Sequence, residues 1–259
     1  MDEHVILQVE NEIATIYLNA PNSLNALSHQ VKTSLADKLS IIENNPGIKV
    51  IILTGKGRAF CAGGDVKGMT GEGTPVQNKE ILNNSGNIIK RIFNLKKPVI
   101  SAVHGYAAGA GFSLALAADI VVAEENANFI LSFKNVSLVP DMGLHYFLSK
   151  TISPWKLKEM IWKGARLSAQ EGVTYGFVND ITPDGKSLIQ AKQIAQEIKN
   201  GPIRAYSFSK GIINSRNIYD LDSVLELEGF AQSILKETED HKEGVLAFKE
   251  KRKPTFKGY

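Results

Sequence analysis

One cysteine, Cys61, stands among 259 residues, so the chain cannot close a disulfide on itself. That suits a reducing compartment, and the cytoplasm is the expected location. Long apolar runs are missing too. None approaches the roughly 20 residues of a membrane span, so no membrane partner is expected. The first residues, Met1-Asp2-Glu3-His4, are acidic and lead at once into strand-like alternation, without the basic and apolar regions of a signal peptide. Neither sign of charge dominates: 30 basic residues stand against 27 acidic ones, for a net charge of +3. No nucleic-acid partner is expected from that balance. The five histidines are scattered at spacings that give no metal signature. No internal repeat or long low-complexity tract is visible.

What is present is alternation of strand and helix. Val5-Ile6-Leu7-Gln8-Val9 and Ile13-Ala14-Thr15-Ile16-Tyr17-Leu18 read as a hairpin across Glu10-Asn11-Glu12. Residues 27–44 have helical period, with Val31, Leu35, Leu39 and Ile42 on one stripe, and Pro46-Gly47 ends them. A strand is expected at 49–54, a polar and mobile stretch at 66–80, and a helix at about 79–94. A strand at 98–103, a small-residue helix at 112–118 and a strand at 120–123 follow. From about residue 200 the pattern changes to helices at 203–215, 221–237 and 239–251 with no strand between them. The expected class is α/β with right-handed crossovers, divided into a core at 1–199 and a helical subdomain at 200–259.

Two glycine-bearing segments carry the chemistry. Phe60-Cys61-Ala62-Gly63-Gly64-Asp65 follows the apolar run Val50-Ile51-Ile52-Leu53, and Gly105-Tyr106-Ala107-Ala108-Gly109-Ala110-Gly111 follows Pro98-Val99-Ile100-Ser101-Ala102-Val103. Each is a strand that runs into small residues and then a helix. Small residues let a ligand approach the backbone, and a helix start offers unpaired N–H groups. Two such starts aimed at one point can hold a developing oxyanion, which suggests acyl chemistry on a carbonyl. Singly, each reads as an ordinary strand-to-helix turn with no ligand.

Together with Asn22-Ser23-Leu24-Asn25-Ala26-Leu27, Ala118-Asp119-Ile120-Val121-Val122-Ala123 and the run from Glu243 to Arg252, these segments resemble the crotonase superfamily, the enoyl-CoA hydratase/isomerase family, in order from end to end. The resemblance implies a crotonase-like spiral of ββα units with a C-terminal helical trimerisation subdomain. It implies a homotrimer or homohexamer and an acyl-CoA thioester substrate, with no cofactor beyond the coenzyme A moiety. By position it makes the N–H groups of Gly64 and Ala110 the oxyanion donors. It sets the CoA adenine against Ser23, Leu24, Ala26 and Ala62, with Asp65, Val66 and Lys67 in the same binding segment. Phe248 and Lys251 of a neighbouring subunit close that end, in a basic run, Lys249-Glu250-Lys251-Arg252-Lys253, suited to phosphates.

Two carboxylates of the family's hydratases are missing. Where one glutamate is expected, two residues beyond the second triplet, stands Ser113; where the other is expected, seven residues before Pro140, stands Phe133. Asp141, in Val139-Pro140-Asp141-Met142-Gly143, is the carboxylate that remains. Its expected work is to move a proton from C2 to C4 of a β,γ-unsaturated acyl-CoA with its pKa raised by desolvation. Its other reading is a helix N-cap. The loop resembles that of ring-epoxide phenylacetyl-CoA isomerases, although Gly143-Leu144-His145-Tyr146 departs from that branch. Other enolate chemistry remains open, hydration and thioester dehalogenation included, as does a non-catalytic CoA-binding or scaffold role. His145 is a weaker acid–base candidate. His104 reads as structural, Cys61 as a buried filler, Asp65 as a cap, and Glu124 and Glu125 as solvated strand-end residues.

Overall fold

The computed structural model describes residues 3–65, 74–215 and 221–258. The chain opens with an antiparallel hairpin, β1 (Val5–Glu10) and β2 (Ile13–Leu18), paired from Val5 with Leu18 to Glu10 with Ile13. Helix α1 (His29–Asn44) crosses over to β3 (Val50–Gly55), which lies parallel to β2. Helix α2 (Pro75–Asn94) leads to β4 (Val99–Val103), and a corner at Gly105 turns the chain into the short β5 (Tyr106–Ala108) and then α3 (Ala110–Leu116). The unit repeats with β6 (Ile120–Glu124), β7 (Asn128–Ile130) and a 3-10 turn at Ser132–Val136. Helices α4 (Leu144–Leu148) and α5 (Pro154–Lys163), strand β8 (Arg166–Ser168), α6 (Ala169–Thr174), β9 (Asp180–Thr182) and α7 (Ser187–Lys199) complete this part. The large sheet runs β1-β2-β3-β4-β6-β9, parallel after the first pair, and a small one runs β5-β7-β8.

The parallel strands are apolar on both faces because both faces are covered. All six residues of β3 are buried. On one side lie α1 and α2, with Val31, Leu35, Leu39 and Ile42 of α1 inward, the stripe its period predicts. On the other, Ala191 and Ala195 let α7 sit close to Val50, Ile52, Ile100 and Val122. Helix α2 begins earlier than expected. Thr74 caps it by accepting from the Gln77 N–H, Gln77 reaches back to the Thr74 N–H, and Pro75 fills the first helical position. Residues 74–80 are therefore a helix start, not part of a polar loop; the rest of that stretch, 66–73, lies outside the described residues.

Three helices, α8 (Ile203–Ser215), α9 (Leu221–Lys236) and α10 (Glu239–Glu250), follow without a strand between them. Polar contacts from Lys210 and Asn214 fasten α8 to the core. Lys210 Nζ reaches Asp119 Oδ2 at 2.8 Å, and Asn214 Nδ2 donates to the Phe93 carbonyl at 2.9 Å. Glu124 departs from expectation. It is buried at the end of β6, where it accepts from the Ser187 hydroxyl at 2.9 Å and so ties the start of α7 to the sheet. Glu125 is exposed. Among the described residues no helix is long and apolar enough to cross a membrane.

Candidate active site

The two glycine segments lie side by side. Phe60 donates to the His104 carbonyl and Cys61 to that of Tyr106, and Ala108 donates back to Cys61, each at 2.9 Å. This strand-like pairing sets the end of one segment against the end of the other. Gly63 makes the approach possible. Its φ is +95°, and a Cβ there would lie 2.5 Å from the Ala108 carbonyl oxygen and 3.3 Å from the Ala110 nitrogen. Gly109, at φ 51° and ψ −121°, turns the chain into α3 through a conformation open only to glycine. Gly64 and Ala110 are thereby brought together. Neither backbone N–H donates to a protein acceptor among the described residues; Ala110 is buried and Gly64 half-buried. Buried donors without partners are rare, so the Ala110 N–H, with that of Gly64 beside it, is a place for an acceptor from outside the chain.

Asp141 is tied to α3 at Ser113, three residues along the helix from Ala110. The Ser113 hydroxyl, fully buried on α3, donates to the Asp141 backbone carbonyl at 2.9 Å. Phe133 packs its ring 3.6 Å from where a Cβ on Gly109 would stand. The two positions at which the resemblance expects glutamates therefore hold a loop anchor and an apolar wall. Asp141 is not the cap of α4. Gly143 holds that position at φ 82° without a side-chain bond, and the Leu144 N–H goes to the Asp141 backbone carbonyl. The carboxylate is left with Oδ1 buried and without a hydrogen-bond partner. Burial pushes its pKa up, opposed by the positive charge of Lys32 and by its own backbone N–H.

The proposed nucleotide loop is held from beneath. After a 3-10 turn at Pro21–Ser23, Leu24 and Asn25 take left-handed conformations at φ 52° and 58°. The buried Asn25 side chain accepts from the Ala20 N–H at 2.9 Å and donates to the carbonyls of Lys56 and Ala59 at 2.9 and 2.8 Å. The Ala62 N–H donates to Leu24 at 2.9 Å, so Ser23, Leu24, Ala26 and Ala62 share one corner. Val66 and Lys67, and any helix that Asp65 would cap, lie outside the described residues. Phe248 is 87% exposed near the end of α10, and Lys251 is its left-handed C-cap.

The basic run at the end of α10 is partly neutralised within the chain. Arg252 holds Glu243 at 2.6 and 2.8 Å and Glu250 at 2.6 Å, and the guanidinium draws the Glu243 carboxyl down to about 2. His104 faces the Gly57 carbonyl at 3.1 Å, a structural contact. Burial pushes the Cys61 thiol up to about 12, which makes it an inert filler. His145 is exposed along a surface groove with Val139, Pro140 and Trp162 and makes no hydrogen bond to Asp141 among the described residues. Lys32 escaped the sequence reading. Its one signal is a cation set directly between the buried stripe positions of α1. Among the described residues no group of three or more histidines, cysteines, aspartates and glutamates gathers as a metal site.

Residues 8–259 match the family described as enoyl-CoA hydratase/isomerase. YhaR of Bacillus subtilis (strain 168), whose name carries both reactions, is 39% identical over 254 residues, 98% of this chain and 99% of that protein. The 1,2-epoxyphenylacetyl-CoA isomerase of Escherichia coli (strain K12) is 33% identical over 261 residues, the whole of both chains. An enoyl-CoA hydratase structure from Polaromonas sp. JS666 superimposes with a TM-score of 0.94 at 32% identity, covering 98% of this chain and 99% of that one.

Proposed function

The chain belongs to the enoyl-CoA hydratase/isomerase family, and from that premise we propose that it is an acyl-CoA isomerase which moves a double bond through a thioester enolate. The substrate is a β,γ-unsaturated acyl-CoA. The Asp141 carboxylate takes a proton from C2 as the thioester oxygen gains negative charge against the N–H groups of Gly64 and Ala110. The carboxylic acid so formed returns the proton at C4, which leaves the conjugated isomer and regenerates the base. One carboxylate serves both steps because C2 and C4 lie on the same allylic face. The observation that carries this reading is the buried, partnerless Oδ1 of Asp141, with Ser113 and Phe133 at the two positions where hydration would need carboxylates. Losing either oxyanion donor would cost about 2.7–4 kcal/mol of transition-state stabilisation.

The CoA moiety binds at the corner of Ser23, Leu24, Ala26 and Ala62, and no further cofactor takes part. The protein works in the cytoplasm as a trimer or hexamer, with Phe248 and Lys251 of one subunit at the nucleotide of the next. Exposed apolar side chains on the last two helices, Leu225, Phe230, Leu246 and Phe248, support assembly. An obligate interface of this kind buries upwards of about 2,000 Å².

A panel of CoA thioesters tests the reading. 3-Enoyl-CoA should isomerise without change of mass, and crotonyl-CoA should gain little or no water. Efficient hydration would sink it, and a stable monomer with full CoA affinity by light scattering would sink the assembly. Ring-epoxide chemistry is the second reading, favoured by the full-length likeness to the Escherichia coli isomerase; a phenylacetyl-CoA epoxide in the same panel separates the two.

A further inference from the structure

Two polar groups beside the proposed acyl site lack the partners that burial demands. The first is Asp141 Oδ1. The second is Lys32, half-buried on α1 next to the core residue Val31. Its ammonium donates to the Ser85 hydroxyl at 3.2 Å, and Ser85, buried on α2, passes its own proton to the Ile81 carbonyl at 3.0 Å. That uses one of the three N–H bonds of the ammonium. No carboxylate pairs with it among the described residues.

Packing places this lysine near the catalytic loop. One turn along α2 from Ser85 lies Ile89, whose Cγ2 would stand 3.8 Å from a Cβ on Gly143, two residues after Asp141. One helical turn rises about 5.4 Å. Lys32 and Asp141 also feel each other's charge, each holding the other toward its ionised form against burial. Yet the two form no ion pair. A cation and a carboxylate that influence each other without pairing make a poor structural pair, and both keep hydrogen-bonding capacity for a ligand. A plain alkyl chain set against the ammonium would strip water from it and give nothing back, which is costly.

We infer that Lys32, backed by Ser85, is a specificity-determining residue, and that the acyl group this protein takes carries an oxygen acceptor, hydroxyl or carboxylate, beyond C4. The inference rests on Asp141 as the proton carrier, which assigns C2 to C4 to its carboxylate and leaves Lys32 to meet what lies further along the chain. A hydroxyl or carboxylate oxygen there accepts one or both of the remaining N–H bonds in a charge-assisted contact.

Binding of saturated, unreactive thioesters tests this apart from turnover. Butyryl-CoA, 5-hydroxyvaleryl-CoA and glutaryl-CoA are titrated calorimetrically into the wild type, Lys32→Met and Lys32→Arg. The wild type should bind at least one oxygenated ligand roughly tenfold or more tighter than butyryl-CoA. Lys32→Met should erase that preference, and Lys32→Arg should keep most of it for a carboxylate. The hydroxyl and carboxylate arms identify the acceptor. Lys32→Gln repeats the comparison if the methionine variant melts early. Equal affinity of the wild type for all three ligands overturns the inference, as does a preference that survives removal of the ammonium. Either result leaves the isomerase reading standing, because that is read from proton exchange on 3-enoyl-CoA. Failure of the wild type to bind any of the three overturns both.

Discussion

The Ser113 hydroxyl donates to the backbone carbonyl of Asp141 at 2.9 Å, so the residue at a hydratase-glutamate position holds in place the loop that carries the remaining carboxylate. Ser113→Ala breaks this tether and leaves the Asp141 carbonyl with the Leu144 N–H. The expected result in steady-state kinetics is a fall in kcat of roughly tenfold, since small misplacements of a reacting group are costly. KM should change little, stability should fall by about 1 kcal/mol, and Ser113→Thr should restore part of the rate. Unchanged kcat in the alanine variant would show that the loop needs no anchor.

Asp141→Asn separates base from scaffold. The carboxylate caps no helix, and its Oδ1 has no partner to lose. Isomerisation and exchange of the C2 proton with deuterated water should both fall by roughly 10²–10⁴-fold, the usual worth of a general base. Thioester affinity and Tm should stay near wild type. Exchange that persists in this variant would overturn the mechanism.

The pH dependence follows from the burial of the same group, which raises its pKa above the ordinary 3.8. Activity requires the ionised form, so the acid limb of the rate profile should lie above that value. For stability the sign is opposite to that of a salt-bridged carboxylate. In the window between the unfolded and folded pKa values the native state binds more protons than the unfolded chain, so stability falls as pH rises through it. This contribution is fully present below about 3.8 and lost above the raised value. Chemical denaturation across this range should show the slope in the wild type and a shallower one in Asp141→Asn. A slope unchanged by the substitution would count against the assignment.

Asp119→Asn tests how α8 is fastened. Lys210 keeps only 9% of its side chain exposed, and the substitution leaves its ammonium without a counter-charge. A loss of about 1–3 kcal/mol is expected by denaturant titration. Lys210→Met in the same background should recover part of it, because the uncompensated charge is then gone. If the double variant is no more stable than the single one, the cost lies elsewhere, in the hydrogen bond from the Val99 N–H to Asp119.

Much of this was legible in the chain because the signals were local. The stripe of Val31, Leu35, Leu39 and Ile42, and the apolar run of β3, announce themselves by period. The two glycine segments, each legible from its own small residues, lie side by side. What stayed hidden were contacts between distant segments. Glu124 read as solvated because nothing near it reveals Ser187, 63 residues on. Thr74 and Pro75 read as loop because their composition outweighed the capping box of Thr74 and Gln77. Arg252 read as part of a basic run because the charge tally does not show that it folds back on Glu243, nine residues earlier. Lys32 was invisible as a site residue because its environment is made by α2 and the Asp141 loop, not by α1.

The paired left-handed residues Leu24 and Asn25 have a bearing on the order in which the molecule assembles. Each such conformation in a side-chain-bearing residue costs about 1–2 kcal/mol. Here the compensation comes from the Asn25 amide, whose carbonyl partners at Lys56 and Ala59 are 31 and 34 residues away. Those partners exist only after β2 and β3 have paired and α1 has closed over them. The corner proposed to receive the nucleotide therefore has no means of forming by itself and must set late, after the sheet. Read in reverse, it is an early casualty of partial unfolding: mild denaturant should abolish CoA affinity while the sheet still protects its amides from exchange.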